Sequence, residues 1–405
     1  MDLLPNDKTE RWKVNRKALI YFTQFNKALG GSEYLPLLLA SDLQENCDVT
    51  LALNLKSDVA QAAETLHIPI DTSRLNVIYV KPNNKLLQRL DAILPFYRTW
   101  RLKRLAKNAD ICISTVNMFD FGKPAHHFVF MLRHFGDNEF IDYVNHAKPK
   151  SAAALLRRRL RTFLAEHVLR PLLGMRSTRT ILADPQERIY PTSRYVADIM
   201  RRFYGQFNGK VFYPPTIFAP GTSPVRRDPL KVVYIGQIFP EKHVAEIIGI
   251  VEKARATSKK ELTLDIAGSL RETTYVGLIR KLSSERPWVR LVGPLYGSDK
   301  DAFLRSATYA VHAERDEAFG ISVTEYLKAG AVVLVPDEGG TLEIVDSPDL
   351  TYRTYEDAAQ ILARLLSDND FRTCAQAHCG ERAKFFSKEA YLGRQRELLK
   401  NIPNT

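Results

Sequence analysis

The residues of this chain best suited to chemistry lie between His312 and Val345. Glu317 and Glu325 are separated by seven residues, with Gly320 between them, and a Gly339-Gly340 pair follows the next apolar run. Phe319, Gly320 and Ile321 fall where the exit loop of a strand becomes a helix. Backbone N–H groups at such a start lack intrahelical acceptors and can point at a phosphate. Glycine at position 320 lets that approach be close. Glu325 then sits inside the helix, placed to accept hydrogen bonds from ribose hydroxyls, while Glu317 in the loop can reach sugar hydroxyls. Either glutamate alone reads as an ordinary solvated carboxylate; the combination with two glycine turns carries the information. A second basic feature, Lys242 in YIGQIFPEKH, follows another apolar run.

This segment resembles the E-x7-E signature of the retaining GT-B glycosyltransferases, a family that includes glycogen synthases, sucrose synthases and lipid-linked-oligosaccharide mannosyltransferases. The resemblance extends to Gly236, Gln237, Pro240, Glu241, Lys242 and His243, which look like the family's diphosphate loop. Gln237 stands at the usual Arg and His243 at the usual Gly, so donor affinity is expected to lean on Lys242 and on helix dipoles. Gly30 and Gly31 resemble the first-domain glycine loop that passes close to donor phosphate and acceptor. His134 stands where the family presents a histidine that aligns the donor sugar. Pro191 to Met200, with Tyr213, Pro214 and Pro215, is similar to the family's serine-containing segment, and Gly268, Gly293 and Leu295 occupy strand ends where the base is held.

The resemblance implies transfer of a hexose, mannose slightly favoured, from a GDP- or UDP-sugar to a glycan or lipid-linked acceptor with retention of configuration. Catalytic roles fall to Glu317, His134 and Lys242. Donor binding falls to Gly30, Gly31, Gly236, Gln237, Lys242, Leu295, Phe319, Gly320, Ile321 and Glu325. No cofactor and no metal are expected: the Asp-x-Asp pairs, Asp299 with Asp301 and Asp368 with Asp370, read as helix caps. Cys374, His378 and Cys379 read as one helix and not as a zinc site.

Elements able to hold such residues are visible in the pattern. Apolar runs recur at Ala18–Phe22, Val49–Leu53, Val77–Val80, Ile111–Thr115 and Phe128–Met131, and again at Val232–Ile235, Leu262–Ala267, Val289–Val292, Tyr309–His312 and Val332–Val335. Helix-compatible stretches separate them, the βαβ rhythm of parallel strands buried on both faces. Five prolines between Tyr213 and Pro229 punctuate that rhythm. The expectation is an α/β chain of the GT-B class, with two doubly wound Rossmann-like domains facing across a cleft. Residues 1–217 form the acceptor domain, 218–380 the donor domain, and 381–405 a final helix returning to the first domain.

The formal charge of +12 is carried by the first half: residues 1–217 hold 32 Lys and Arg against 20 Asp and Glu, and the remainder 26 against 26. Such asymmetry marks a face for something anionic, whether nucleic acid, phospholipid headgroups or a phosphorylated substrate. Basic amphipathic stretches at Lys85–Lys107 and Ser151–Arg170 offer two readings, an anionic membrane surface or apolar faces packed on the first domain's sheet. No apolar run reaches the roughly 18 residues of a spanning helix, and the charged N-terminus lacks a signal-peptide core. A cytoplasmic protein, peripheral on the membrane in the first of those readings, is expected. The competing functions are an RNA-binding protein, for which no RNA-reading motif is present, a silent sugar-binding protein, and a sugar-nucleotide epimerase of related fold.

Overall fold

The computed structural model describes residues 16–25, 31–82, 84, 88, 96–130, 153, 156, 160, 163–214, 216, 218, 221, 224–271 and 273–400. Its first sheet is built from β1 (Arg16–Phe22), β2 (Cys47–Leu53), β3 (Asn76–Tyr79), β4 (Ile111–Ser114), β5 (His126–Val129) and β6 (Arg188–Pro191). All pair in parallel, in the order β3-β2-β1-β4-β5-β6. Ala18 registers with Val49 on one side and Ile111 on the other, so both hydrogen-bonding edges of this central strand are paired, and its side chains from Ala18 to Phe22 are buried. Helices α1 (Gly31–Leu43), α2 (Val59–Thr65), α3 (Phe96–Ala106), α4 (Thr178–Ala183) and α5 (Arg194–Tyr204) accompany it. Strand β6 is absent from the apolar pattern because RIYP begins with a charge and ends in proline. At a sheet edge both are tolerated, since one side of the strand needs no partner.

The second sheet comprises β7 (Asp228–Ile235), β8 (Thr263–Ala267), β9 (Val289–Gly293), β10 (Ala307–Val311), β11 (Val332–Pro336) and β12 (Thr351–Tyr352), ordered β12-β11-β10-β7-β8-β9. Its helices are α6 (Val244–Ser258), α7 (Thr274–Ser284), α8 (Gly297–Arg305), α9 (Ile321–Lys328), α10 (Thr341–Val345), α11 (Tyr355–Ser367), α12 (Asn369–Phe385) and α13 (Lys388–Lys400). Strand β11, VVLVP, is wholly buried, and each of its valines contributes about 1.5–3 kcal/mol of burial. Asp368 caps α12 by accepting from Phe371 N at 2.9 Å. Asp301 departs from the capping expectation: it lies inside α8, where it pairs with Arg305 and accepts from Gly221 N at 2.9 Å.

The chain divides into two compact units, one of residues 1–191, 199–212 and 398–405, the other of residues 192–198 and 213–397. Thr192–Asp198 joins the second unit because the Glu343 carboxylate on α10 accepts from Arg194 N at 3.0 Å, Tyr195 N at 3.1 Å and Tyr213 Oη at 2.9 Å. The expected boundary at 380/381 falls inside α12. Arg382 explains why that helix continues, donating to the carbonyls of Ile344 (2.8 Å) and Glu343 (2.7 Å).

A buried ion network ties the far side of the first sheet. Glu187 accepts from Ala125 N at 2.8 Å, meets His127 Nε2 at 2.8 Å and pairs with Arg176 at 2.7 Å. Arg176 also reaches Asp120, which Lys103 of α3 pairs at 2.8 Å. Removing one carboxylate from such a set leaves an uncompensated buried charge. Glu187→Ala is therefore expected to lower the unfolding free energy by about 3 kcal/mol, measured by chemical denaturation against an exposed control, Glu64→Ala.

Candidate active site

In a doubly wound sheet, ligands bind beyond the carboxyl ends of the strands where the winding reverses. In the second unit that point lies between β7 and β10, which are neighbours in the sheet with their crossovers running in opposite directions. The loops leaving those two strands carry the predicted residues. After β7, Pro240 starts a short 3-10 turn ending at Lys242, and His243 follows with φ 51° and ψ 41°. A β-carbon in that left-handed conformation costs about 1–2 kcal/mol, which accounts for the glycine usual at this place. After β10 come His312, Glu314 and Glu317, and then Gly320, with φ 99°, opens α9.

The two loops meet through charge. Lys242 Nζ donates to Glu317 Oε2 at 2.8 Å and also to Glu314 Oε2. The lysine side chain is only 24% exposed, so it is no ordinary surface lysine. Burial works against its charge, but the carboxylates of Glu317 and Glu314 outweigh burial and raise its pKa. Burial likewise opposes ionisation of Glu317, yet the Lys242 ammonium holds that carboxyl below the usual range. For Glu314 burial prevails, with the Glu317 charge adding to it, and its pKa is pushed up to about 7. His312 is held down to about 4 by burial and is neutral; its Nε2 is buried without a hydrogen-bond partner. Ligand atoms of His312, Glu314 and Glu317 lie within 4.8 Å of one another, but the ammonium of Lys242 bridges the two carboxylates and is the cation of this cluster.

The loop bearing Glu317 is held by its backbone from several sides. Gly340 N donates to Glu317 O at 2.7 Å, Ser193 Oγ to Ala318 O at 2.6 Å, and Tyr195 Oη to Asp316 Oδ1 at 2.9 Å. A β-carbon at Gly339 would sit 2.3 Å from Arg315 O, and one at Gly340 2.3 Å from Ala318 O. A β-carbon at Gly320 would meet Thr341 Cγ2 at 2.5 Å and lie 3.6 Å from Glu317 Cγ, which places the Glu317 side chain beside the start of α9. The amides of Ile321 and Ser322 in that first turn have no intrahelical acceptor. Phe319 directs its ring inward, buried against Tyr213 and Phe386 with centroids 5.9 and 5.8 Å apart, so only its backbone faces the turn.

Glu325 is 4% exposed on α9 and accepts from Lys300 Nζ of α8 at 2.7 Å. Gly236 ends β7, its N–H bonded to Ala267 O at 3.1 Å, and Gln237 accepts through its carbonyl from Tyr234 Oη at 2.8 Å. Leu295 follows β9, half-buried against the core. The structure thus brings together Lys242, Glu317, Gly320 and Ile321; Leu295 stands two strands away from β7. Gly31 begins α1 of the first unit, while Gly30 and His134 lie outside the described residues. Three residues escaped the sequence reading. Glu314 lies three positions before Glu317 in the same loop, a spacing that was legible; Lys300 and Glu343 reach their partners only through the fold.

The tight contact at Gly340 predicts opposite outcomes for two glycine substitutions. Gly340→Ala must shift the Ala318 carbonyl and should destabilise by about 1–3 kcal/mol. Gly249→Ala, in α6 with nothing within 4 Å of the added carbon, should stabilise by up to about 1 kcal/mol. Thermal unfolding midpoints of the two variants measure both signs.

Residues 219–384 match the family model described as glycosyl transferases group 1. Among curated proteins, the human GDP-Man:Man(3)GlcNAc(2)-PP-Dol alpha-1,2-mannosyltransferase is 28% identical over 152 residues, which are 34% of this chain and 31% of that enzyme. Its Xenopus laevis counterpart is 32% identical over 123 residues, 28% of this chain and 25% of the enzyme. The matches thus span less than a third of those relatives' length. Solved structures extend the likeness to nearly the whole chain. Anabaena HepE in complex with UDP and glucose superposes with a TM-score of 0.63 at 16% identity, covering 95% of this chain and 99% of that one. The sucrose-phosphate synthase of Thermosynechococcus elongatus gives 0.63 at 16% identity, covering 96% and 99%. Two parallel six-stranded sheets and these likenesses lead to one conclusion: the chain has the GT-B fold, and its residues 219–384 are similar to the group 1 glycosyl transferases.

Proposed function

We propose that this chain transfers a hexose from a nucleotide diphosphate sugar to a glycan or lipid-linked acceptor, with retention and without a catalytic metal. The observation that carries the reading is the meeting of Lys242 and Glu317 beside the amino end of α9, at the carboxyl ends of β7 and β10. The departing diphosphate bears the charge that develops as the glycosidic bond breaks. A fixed ammonium and unpaired amides preorganised toward it lower the barrier without reorganisation at the moment of reaction. Lys242 supplies positive charge between two carboxylates, the service a divalent cation would otherwise give. Glu325 receives the ribose, and Glu317 holds the donor sugar while positioned by Lys242. The acceptor hydroxyl attacks from the face the diphosphate leaves, which preserves configuration and needs no carboxylate behind the anomeric carbon. Gly236, Gln237 and Leu295 are assigned to the nucleotide.

Mannose carried on GDP is favoured by the curated relatives, whose names specify GDP-Man as donor; the HepE complex with UDP and glucose keeps UDP-sugars in view. Lys242→Ala and Glu317→Ala should each reduce transfer by about 100-fold or more; Lys242→Ala also leaves its two carboxylates uncompensated and should lower the unfolding midpoint, so transfer is compared at a temperature where circular dichroism shows each variant folded. Turnover unchanged in both would remove the assignment.

The acceptor side is read as the surface of an anionic membrane. On α3, Leu102 and Ala106 are fully buried in the core, while Trp100 is 51% exposed. Between 156 and 173 the opposite holds: Leu156 is 69% exposed, Phe163 56% and Leu172 79%, in a stretch whose sequence also carries Arg157, Arg158, Arg161 and Arg170. Apolar side chains facing water among arginines suit insertion at headgroup level. No helix among the described residues is long and apolar enough to cross a membrane. The chain should co-sediment with phosphatidylserine-containing liposomes and not with neutral ones, and the joint change Leu156→Ser, Phe163→Ser and Leu172→Ser should abolish it; equal recovery with both vesicle types would count against the membrane reading.

A further inference from the structure

The second carboxylate on Lys242 has no part in the transfer reaction set out above. Glu314 and Glu317 both accept from one ammonium, so the ionised cluster carries one negative charge more than it neutralises. Glu314 is only 8% exposed, and excess charge at such depth is costly. If, as proposed above, Lys242 receives the donor diphosphate, the incoming phosphates add further negative charge at the same spot. They also compete with two carboxylates for the three N–H donors of one ammonium.

The groups that face Glu314 decide how the conflict is relieved. They are Lys242 from the turn after β7, Glu317 from its own loop, His312 at the end of β10 and Tyr234 of β7. His312 is already neutral and the Tyr234 phenol is raised well above its ordinary range by burial, so neither exchanges a proton near neutrality. Glu317 is kept ionised by Lys242. Glu314 is left as the group able to lose its charge.

We propose that Glu314 is a proton-linked keeper of Lys242: as a carboxylate it clamps the ammonium in the donor-free protein, and when a nucleoside diphosphate binds it takes one proton from solvent and releases Lys242 to the phosphates. No covalent bond between heavy atoms changes; a proton joins a Glu314 oxygen, and an Nζ–H donor passes from carboxylate to phosphate oxygen. The sign follows from the proton count. Above the range in which free Glu314 titrates, the bound state holds one proton more than the free state, so affinity falls as pH rises, by up to about tenfold per pH unit. Below that range Glu314 is already protonated and its contribution to the pH dependence disappears.

The test is isothermal titration of GDP and of UDP into the full chain, in two buffers of unlike ionisation enthalpy at one alkaline pH. Working well above the second ionisation of a phosphate, at about 6, keeps the ligand out of the count. Uptake close to one proton per bound nucleotide is expected, together with its loss, and loss of the pH slope, in Glu314→Gln. Binding without proton uptake, or uptake that persists in Glu314→Gln, overturns the keeper role and leaves the Lys242 site standing. Failure of both nucleotides to bind overturns the site reading on which the keeper rests. The uptake measured on the unsubstituted chain decides the matter even where the substituted chain does not fold.

Discussion

A single ammonium shared between a buried carboxylate, Glu314, and a part-buried one, Glu317, is the interaction that joins the two strand-end loops of the second unit. Lys242 belongs to the turn after β7, and Glu314 and Glu317 to the loop after β10. Parting the loops would leave uncompensated charge in a low-dielectric crevice, a loss larger than any single surface ion pair supplies. The same cluster explains why three carboxyl and imidazole groups within a few residues titrate so differently. Burial acts on all of them: at Glu317 the ammonium outweighs it, at Glu314 the charge of Glu317 adds to it, and at His312 it dominates.

Backbone contacts give that cluster its geometry. The Gly339-Gly340 turn after β11 lies so close to residues 315–318 that no side chain fits between them. Ser193 and Tyr195 reach the same loop from the segment that Glu343 holds in the second unit. The hydroxyl of Tyr326 on α9 accepts from Ile235 N at 2.7 Å and donates to Ile235 O at 3.3 Å, fastening the helix that bears Glu325 to the end of β7. Most of these partners are main-chain atoms, so they fix position without adding charge to the cluster.

The first unit is built on a different economy of charge. Its interior ion network of Asp120, Arg176, Glu187 and His127 is closed on itself, whereas its surplus of basic residues lies in sequence around 85–107 and 151–170. One of those stretches turns its apolar side into the core at Leu102 and Ala106; the other leaves leucines in water.

By itself, the sequence determined the class of fold and which loops carry the charged residues and glycines that meet at the reversal of the second sheet. Consecutive apolar runs can only be parallel strands buried on both faces, and a glycine at a loop-to-helix junction with glutamates on either side is informative because each residue type answers a local need. The edge strands β6 and β12 were not legible, since RIYP holds only two apolar residues between a charge and a proline and β12 is two residues long, too few to show a pattern. Tertiary structure alone decided that Lys242 sits between Glu314 and Glu317, residues 72 and 75 positions away. It also decided that Lys300 meets Glu325 and that Glu343 caps a distant segment. The reason is physical: periodicity records which face of an element is dry, whereas the pairing of charges depends on which strand ends the sheet order sets side by side.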